Sequence, residues 1–216
     1  MIGDTRDVHR RPTLTQGIIL IMLATSTFAP ATARAESNRP ATVGTAAAAD
    51  SVDLAPLREL WLASVKDDRA VARALDEVER IRARAEPAAG SALGATLAAY
   101  EGALATLRAR HAAWPPAKLR HLREGLAVLD RTVEAHPEHA EVRYLRLMSC
   151  YYLPGIFGRG GSVRADFAAL ARLLPGVRGE YPPAVHAAIT RFVVERGRLA
   201  PEQRRALEDA LPAPDA

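Results

Sequence analysis

Leu93, Leu97, Tyr100, Leu104, Leu107, His111 and Trp114 follow one another at alternating steps of four and three, and after Pro115-Pro116 the same steps recur at Leu119, Leu122, Leu126, Leu129 and Val133. Residues three and four apart lie on one side of an α-helix, so each set forms a single stripe. Two such stripes joined by a tight proline turn bury each other as an antiparallel αα-hairpin. This pattern excludes a strand reading for the middle of the chain and commits its neighbours to helices that can pack on a helical hairpin.

The flanking segments agree with that constraint. Leu57, Leu60, Trp61 and Ser64 form one face of a first helix, and Asp67-Asp68 break it and can cap a second that carries Val71, Leu75, Val78 and Ile81 inward. Pro87 and Ala88-Ala89-Gly90 end that helix. Val142 to Leu153 is apolar over most of its circumference, interrupted only by Arg143, Arg146 and Ser149 on one narrow stripe. A helix of that kind is buried on several sides, which makes it the expected centre of the domain. Ser162 is a candidate cap for a sixth helix facing inward through Val163, Phe167, Leu170 and Leu174, and Pro175-Gly176 stop it. Pro182-Pro183 open a seventh, with Val185, Ala188, Ile189, Phe192 and Val193 inward and Gly197 at its end. A short charged eighth helix from Pro201 caps the stack. The fold class is therefore all-α, built from αα-hairpins.

Arg6, His9, Arg10 and Arg11, an apolar run from Gly17 to Ala24 and Ala33-Arg34-Ala35 together read as a secretory signal peptide over residues 1–35, cleaved after Ala35. The run is shorter than the ~20 residues of a membrane-spanning helix. Pro12 and Thr13 follow the arginine pair where a twin-arginine signal carries an apolar residue, which favours general secretion. Residues 36–51 are rich in Ala, Thr and Ser without apolar period, a linker, and 52–216 form one helical domain. The expected location is periplasmic or secreted, with no stable membrane anchor after cleavage.

The formal charge is +4, and about +2 without the leader, spread over 27 Arg and only 2 Lys with no concentrated basic block in the sequence. That argues against a nucleic-acid partner. Cys150 is the single cysteine, so it has no partner for an internal disulfide and reads as a buried apolar residue. No cofactor or metal is expected: His136 and His139 flank a proline turn without a third ligand in view. No nucleophile elbow, zinc helix or carboxylate pair suggests catalysis. Glu77 and the other acids fall on helix faces with Arg three or four residues away, as solvated faces do.

Gly125-Leu126, Leu129, Thr132-Val133 and Pro137, then Ala140-Glu141 and Tyr144, resemble the second helix of a tetratricopeptide repeat running into the first helix of the next. The resemblance covers residues 117–153 and implies a short tetratricopeptide-like right-handed solenoid of about seven or eight helices. It also implies a concave surface lined by the central helix, with Arg143, Arg146 and Ser149 placed to clamp a peptide carboxylate. Arg suits that role through its paired hydrogen bonds, and a solvated face paired with neighbouring acids is the other reading of the same stripe. A second candidate is the loop of residues 154–162, where Arg159, Gly160, Gly161 and Ser162 precede a helix whose free N–H groups attract anions. The expected function is a non-catalytic exported adaptor that holds a protein or peptide segment in a helical-repeat groove. The alternative is a small-molecule or anion site at that loop.

Overall fold

A computed structural model describes residues 52–211, and all regular structure among them is helical. Eight α-helices follow one another there: α1 (Ala55–Ala63), α2 (Asp68–Ala85), α3 (Ala92–His111), α4 (Pro115–Ala135), α5 (Ala140–Tyr151), α6 (Gly160–Leu173), α7 (Pro183–Arg196) and α8 (Pro201–Asp209). A 3-10 turn at Gly155–Phe157 lies between α5 and α6. The expected signal peptide and linker lie outside the described residues.

The caps follow from local chemistry. Asp67 accepts the N–H of Arg69 at 3.0 Å and Ser91 that of Gly94 at 3.1 Å, each satisfying a donor left free by helix geometry. Four helices carry proline in the first turn, where a missing N–H costs nothing. Glu86 closes α2 in the left-handed region at φ 40°.

The α3–α4 hairpin is the tightest contact, and two glycines permit it. A Cβ on Gly125 would lie 2.5 Å from the carbonyl oxygen of Gly102 and 2.8 Å from Cγ2 of Thr106. One on Gly102 would lie 2.9 Å from Cγ of Leu129. The two helix backbones therefore touch where the apolar stripes are interrupted by residues without side chains, which brings Leu97, Leu104 and Leu129 to zero exposure around the crossing. Each helix from α1 to α6 packs on the next, α3 also packs on α5, and α8 closes over α6 and α7.

Helices α1, α3, α5 and α7 are joined by aromatic rings. Trp61 meets Tyr100 edge-to-face at 6.1 Å and Tyr144 at 6.2 Å, and Tyr144 meets Phe192 at 6.3 Å. Phe192 also stacks on Phe167 of α6 at 6.0 Å. Such edge and offset arrangements are those the ring quadrupole favours. They also place α7 over the side of α5 that carries Tyr144 and Tyr151.

Several expectations are corrected. Trp114 is 68 % exposed, because α3 ends at His111 and the stripe loses its rotation three residues early. Leu119 is exposed as well, in the first turns of α4. The central helix runs from Ala140 to Tyr151 rather than from Val142 to Leu153. The sixth begins at Gly160 with Arg159 before it, so Ser162 lies inside the first turn and makes no cap. Glu77 is buried and paired with Arg80, while Arg73 turns to Asp67 at 3.1 Å. His111 is satisfied, its Nε2 lying 2.7 Å from the carbonyl of Ser64.

Gly125→Ala should destabilise the domain by about 1–3 kcal/mol in urea unfolding, since the new methyl overpacks a backbone contact. Gly161→Ala, whose Cβ meets nothing within 4 Å, should be neutral or stabilising in the same measurement.

Candidate functional site

The helical spacing that puts Arg143, Arg146 and Ser149 on one stripe turns that stripe toward α4 and α6. Asp166, fully buried on α6, receives three hydrogen bonds: from Arg143 Nη1 at 3.0 Å and from Arg146 Nε and Nη2 at 2.9 and 2.7 Å. Asp130 on α4 receives Arg146 Nη1 at 3.3 Å and Arg159 Nη2 at 2.6 and 2.8 Å. Arg143 also donates Nε to the carbonyl of Pro137 at 2.5 Å, which fastens the α4–α5 turn. Three guanidiniums and two carboxylates thus form one chain that joins α4, α5, the 154–159 loop and α6.

This chain commits the donors that a peptide clamp needs. Burial pulls the Arg146 pKa down, but the bonds and charge of Asp166, with Asp130 behind it, leave it raised. Arg159 is raised as well, first by its hydrogen bond to Asp130. Ser149 Oγ lies 3.4 Å from Thr106 Oγ1 on the neighbouring α3, and the Thr106 hydroxyl donates its own hydrogen to Ala103 O at 2.7 Å, so Ser149 is the donor of that pair. Cys150 is 2 % exposed, and Arg159 Nε points at its sulfur from 3.4 Å. Burial pushes the thiol up, and Arg159 draws it the other way without prevailing. A nucleophilic thiolate needs the opposite balance.

The 154–162 loop resolves into two devices. Gly158 ends the 3-10 turn in the left-handed region at φ 67°, its N–H on Gly155 O at 2.9 Å. Gly160, Gly161 and Ser162 belong to the first turn of α6. The loop is therefore a helix start preceded by a closed turn, and its arginine is spent on Asp130.

A second polar cluster escaped the sequence reading. Glu141, 3 % exposed in the first turn of α5, receives Arg58 Nε and Nη2 at 2.9 Å each and the Tyr100 hydroxyl at 2.7 Å. Burial, then the charge of Glu141, holds the Tyr100 hydroxyl well above its ordinary range. The Glu141 N–H donates to the hydroxyl of Tyr181 at 3.3 Å. An acid in a first helical turn reads from sequence as a partner of the helix dipole, so nothing marked it as buried. Next to it, the Thr96 hydroxyl donates to Ala92 O at 3.0 Å and accepts from His139 Nε2 at 3.1 Å, which leaves His139 Nδ1 buried without a partner.

The remaining feature is apolar. Trp114, Leu119, Ile156 and Phe157 are the exposed large hydrophobics among the described residues. Trp114 sits on the α3–α4 turn, Leu119 in the first turns of α4, and the others on the α5–α6 turn. Cys150 packs with Ala109, Leu122 and Leu126, with Leu153 and Val163 against them, so both turns belong to the same end of the bundle. Among the described residues no group of three or more His, Cys, Asp and Glu can hold a metal, and no helix is long and apolar enough to cross a membrane. No family model, curated protein or solved structure matches the chain.

Asp166→Ala should cost about 3 kcal/mol in chemical denaturation, because it strands two guanidiniums between helices. Asp130→Ala, at a carboxylate still 38 % exposed, should cost about 1 kcal/mol. Burial, more than any neighbouring charge, holds His139 below the ordinary imidazole value. The unfolded chain therefore takes up that proton first, and the stabilisation from neutral His139 is complete above about pH 6.5 and lost as the pH falls below it. His139→Gln should flatten the decline in Tm between about pH 7 and pH 5 relative to wild type.

Proposed function

We propose that the protein is a non-catalytic exported adaptor that docks through the end of its bundle formed by the α3–α4 and α5–α6 turns. The observation that carries this reading is the convergence of Trp114, Leu119, Ile156 and Phe157 at one end of the bundle, while the other large apolar side chains among the described residues are buried or half-buried. Exposed apolar groups cost solvation free energy and persist where a partner covers them. The consecutive stacking of α3, α4, α5 and α6 supports a tetratricopeptide-like arrangement for this part of the chain. The inner-groove variant of the reading has less support, because α7 covers the tyrosine side of α5 and Asp166 and Asp130 hold the arginines. The leader with its Ala33-Arg34-Ala35 motif supports export, and hence a partner in the cell envelope or beyond it.

The test is a double substitution at the most exposed tip. Ile156→Ser with Phe157→Ser should leave unfolding free energy within about 0.5 kcal/mol of wild type, as surface changes do. The same variant should move the protein from the envelope fraction to the soluble fraction of fractionated cells. Unchanged fractionation with an intact fold would overturn the reading.

A further inference from the structure

The docking end carries charge of one sign as well as apolar tips. In residues 108–124 and 152–165, Arg108, Arg110, Lys118, Arg120, Arg123 and Arg164 are exposed, and Glu124 is the only acid. Glu124 is itself engaged, 3.5 Å from His121 Nδ1 and 3.9 Å from Arg120 Nε. Five of the six cations lie in the acid-free stretch 108–123, which a count of charge over the whole chain conceals, and Arg164 joins them from the second segment. The fold gathers them at one end, around Trp114 and Ile156.

We infer that this end seats on an anionic lipid bilayer, with Trp114, Leu119, Ile156 and Phe157 entering the headgroup region and the surrounding arginines and Lys118 meeting lipid phosphates. The inference rests on the adaptor reading and names the surface it docks to. Three observations select a bilayer over a protein pocket. The most exposed apolar groups, Trp114 at 68 % and Ile156 at 89 %, lie on two separate turns, so they offer isolated tips. Ile156, at 89 % exposure, stands on a closed 3-10 turn held by its own hydrogen bonds. Separate exposed tips fit a deformable interface, whereas a protein partner must supply a matching cavity for each. The residue types also match: Trp favours the water–lipid boundary, and long basic side chains lay their stems in the apolar layer with the charge at phosphate level. With no crossing helix among the described residues, the attachment is shallow and reversible, set by apolar area and by attraction to anionic headgroups.

Trp114 is a built-in reporter, since the chain has only two tryptophans and Trp61 is buried. The full chain is mixed with vesicles of phosphatidylglycerol and phosphatidylcholine, or of phosphatidylcholine alone, some with brominated acyl chains. A fluorescence component missing from Trp114→Phe should shift to the blue and be quenched by brominated lipid in the anionic vesicles. Partitioning should fall about tenfold or more in the Lys118→Gln, Arg120→Gln, Arg123→Gln variant and weaken with added salt. No vesicle-dependent change at Trp114 overturns the inference, and so does equal binding to neutral vesicles by wild type and the triple variant. If vesicles do nothing while a detergent-solubilised, lipid-depleted envelope protein is captured by wild type and not by the Ile156→Ser, Phe157→Ser variant, the lipid assignment fails and the adaptor reading stands. If neither binds, both fail.

Discussion

A carboxylate with no access to water is tolerable only when its charge is met on the spot, and Asp166 is met by two guanidiniums from the facing helix. That requirement fixes the relation of α5 to α6, because the fork of Arg146 binds both oxygens at one rotation of the two helices only. It propagates further: the remaining arm of Arg146 reaches Asp130, and Asp130 takes Arg159, so α4 and the loop before α6 are set by the same charges. Replacing such a chain with apolar side chains could be as stable, since desolvation offsets much of the attraction. What the ionic version adds is geometric choice, as an apolar interface can slide and a bidentate pair cannot.

The helices were legible because their signals are local and redundant. Apolar period, proline starts and the Asp67 cap all point to the same boundaries, and the described residues form helices where those signals fall. Errors arose where the outcome depends on what lies opposite. The stripe rule carried Trp114 into the core because spacing records direction on a helix and cannot record that the helix has ended. Ser162 has the chemistry of a cap, but the helix begins two residues earlier, where Arg159 is fixed by Asp130.

The site was less legible for the same reason. Arg143 and Arg146 were visible as an unusual stripe in an apolar helix, yet their acids lie 16 to 23 residues away on other helices. Glu77 reads as an ordinary helix-surface acid and Glu141 only as part of the repeat-like motif, because a sequence gives no burial for a charge. The basic end was passed over because the charge was weighed over the whole chain, although Arg108, Arg110, Lys118, Arg120 and Arg123 lie in one acid-free stretch; what the fold adds is Arg164 and the apolar tips beside them. The glycine-rich loop, the most conspicuous feature in the sequence, proved to be a turn and a helix start.

The aromatic contacts from Trp61 to Phe192 have a consequence for how the domain comes apart. A linear stack in which each helix touches only its neighbours can fray from either end, each unit melting nearly on its own. Here Phe192 of α7 meets Tyr144 of α5, and Tyr144 meets Trp61 of α1, which in turn meets Tyr100 of α3, so a run of rings crosses the stack through α5. Removing α7 would uncover Tyr144 and Tyr151 at the centre, so the middle helix ties the protection of one end of the stack to the presence of the other.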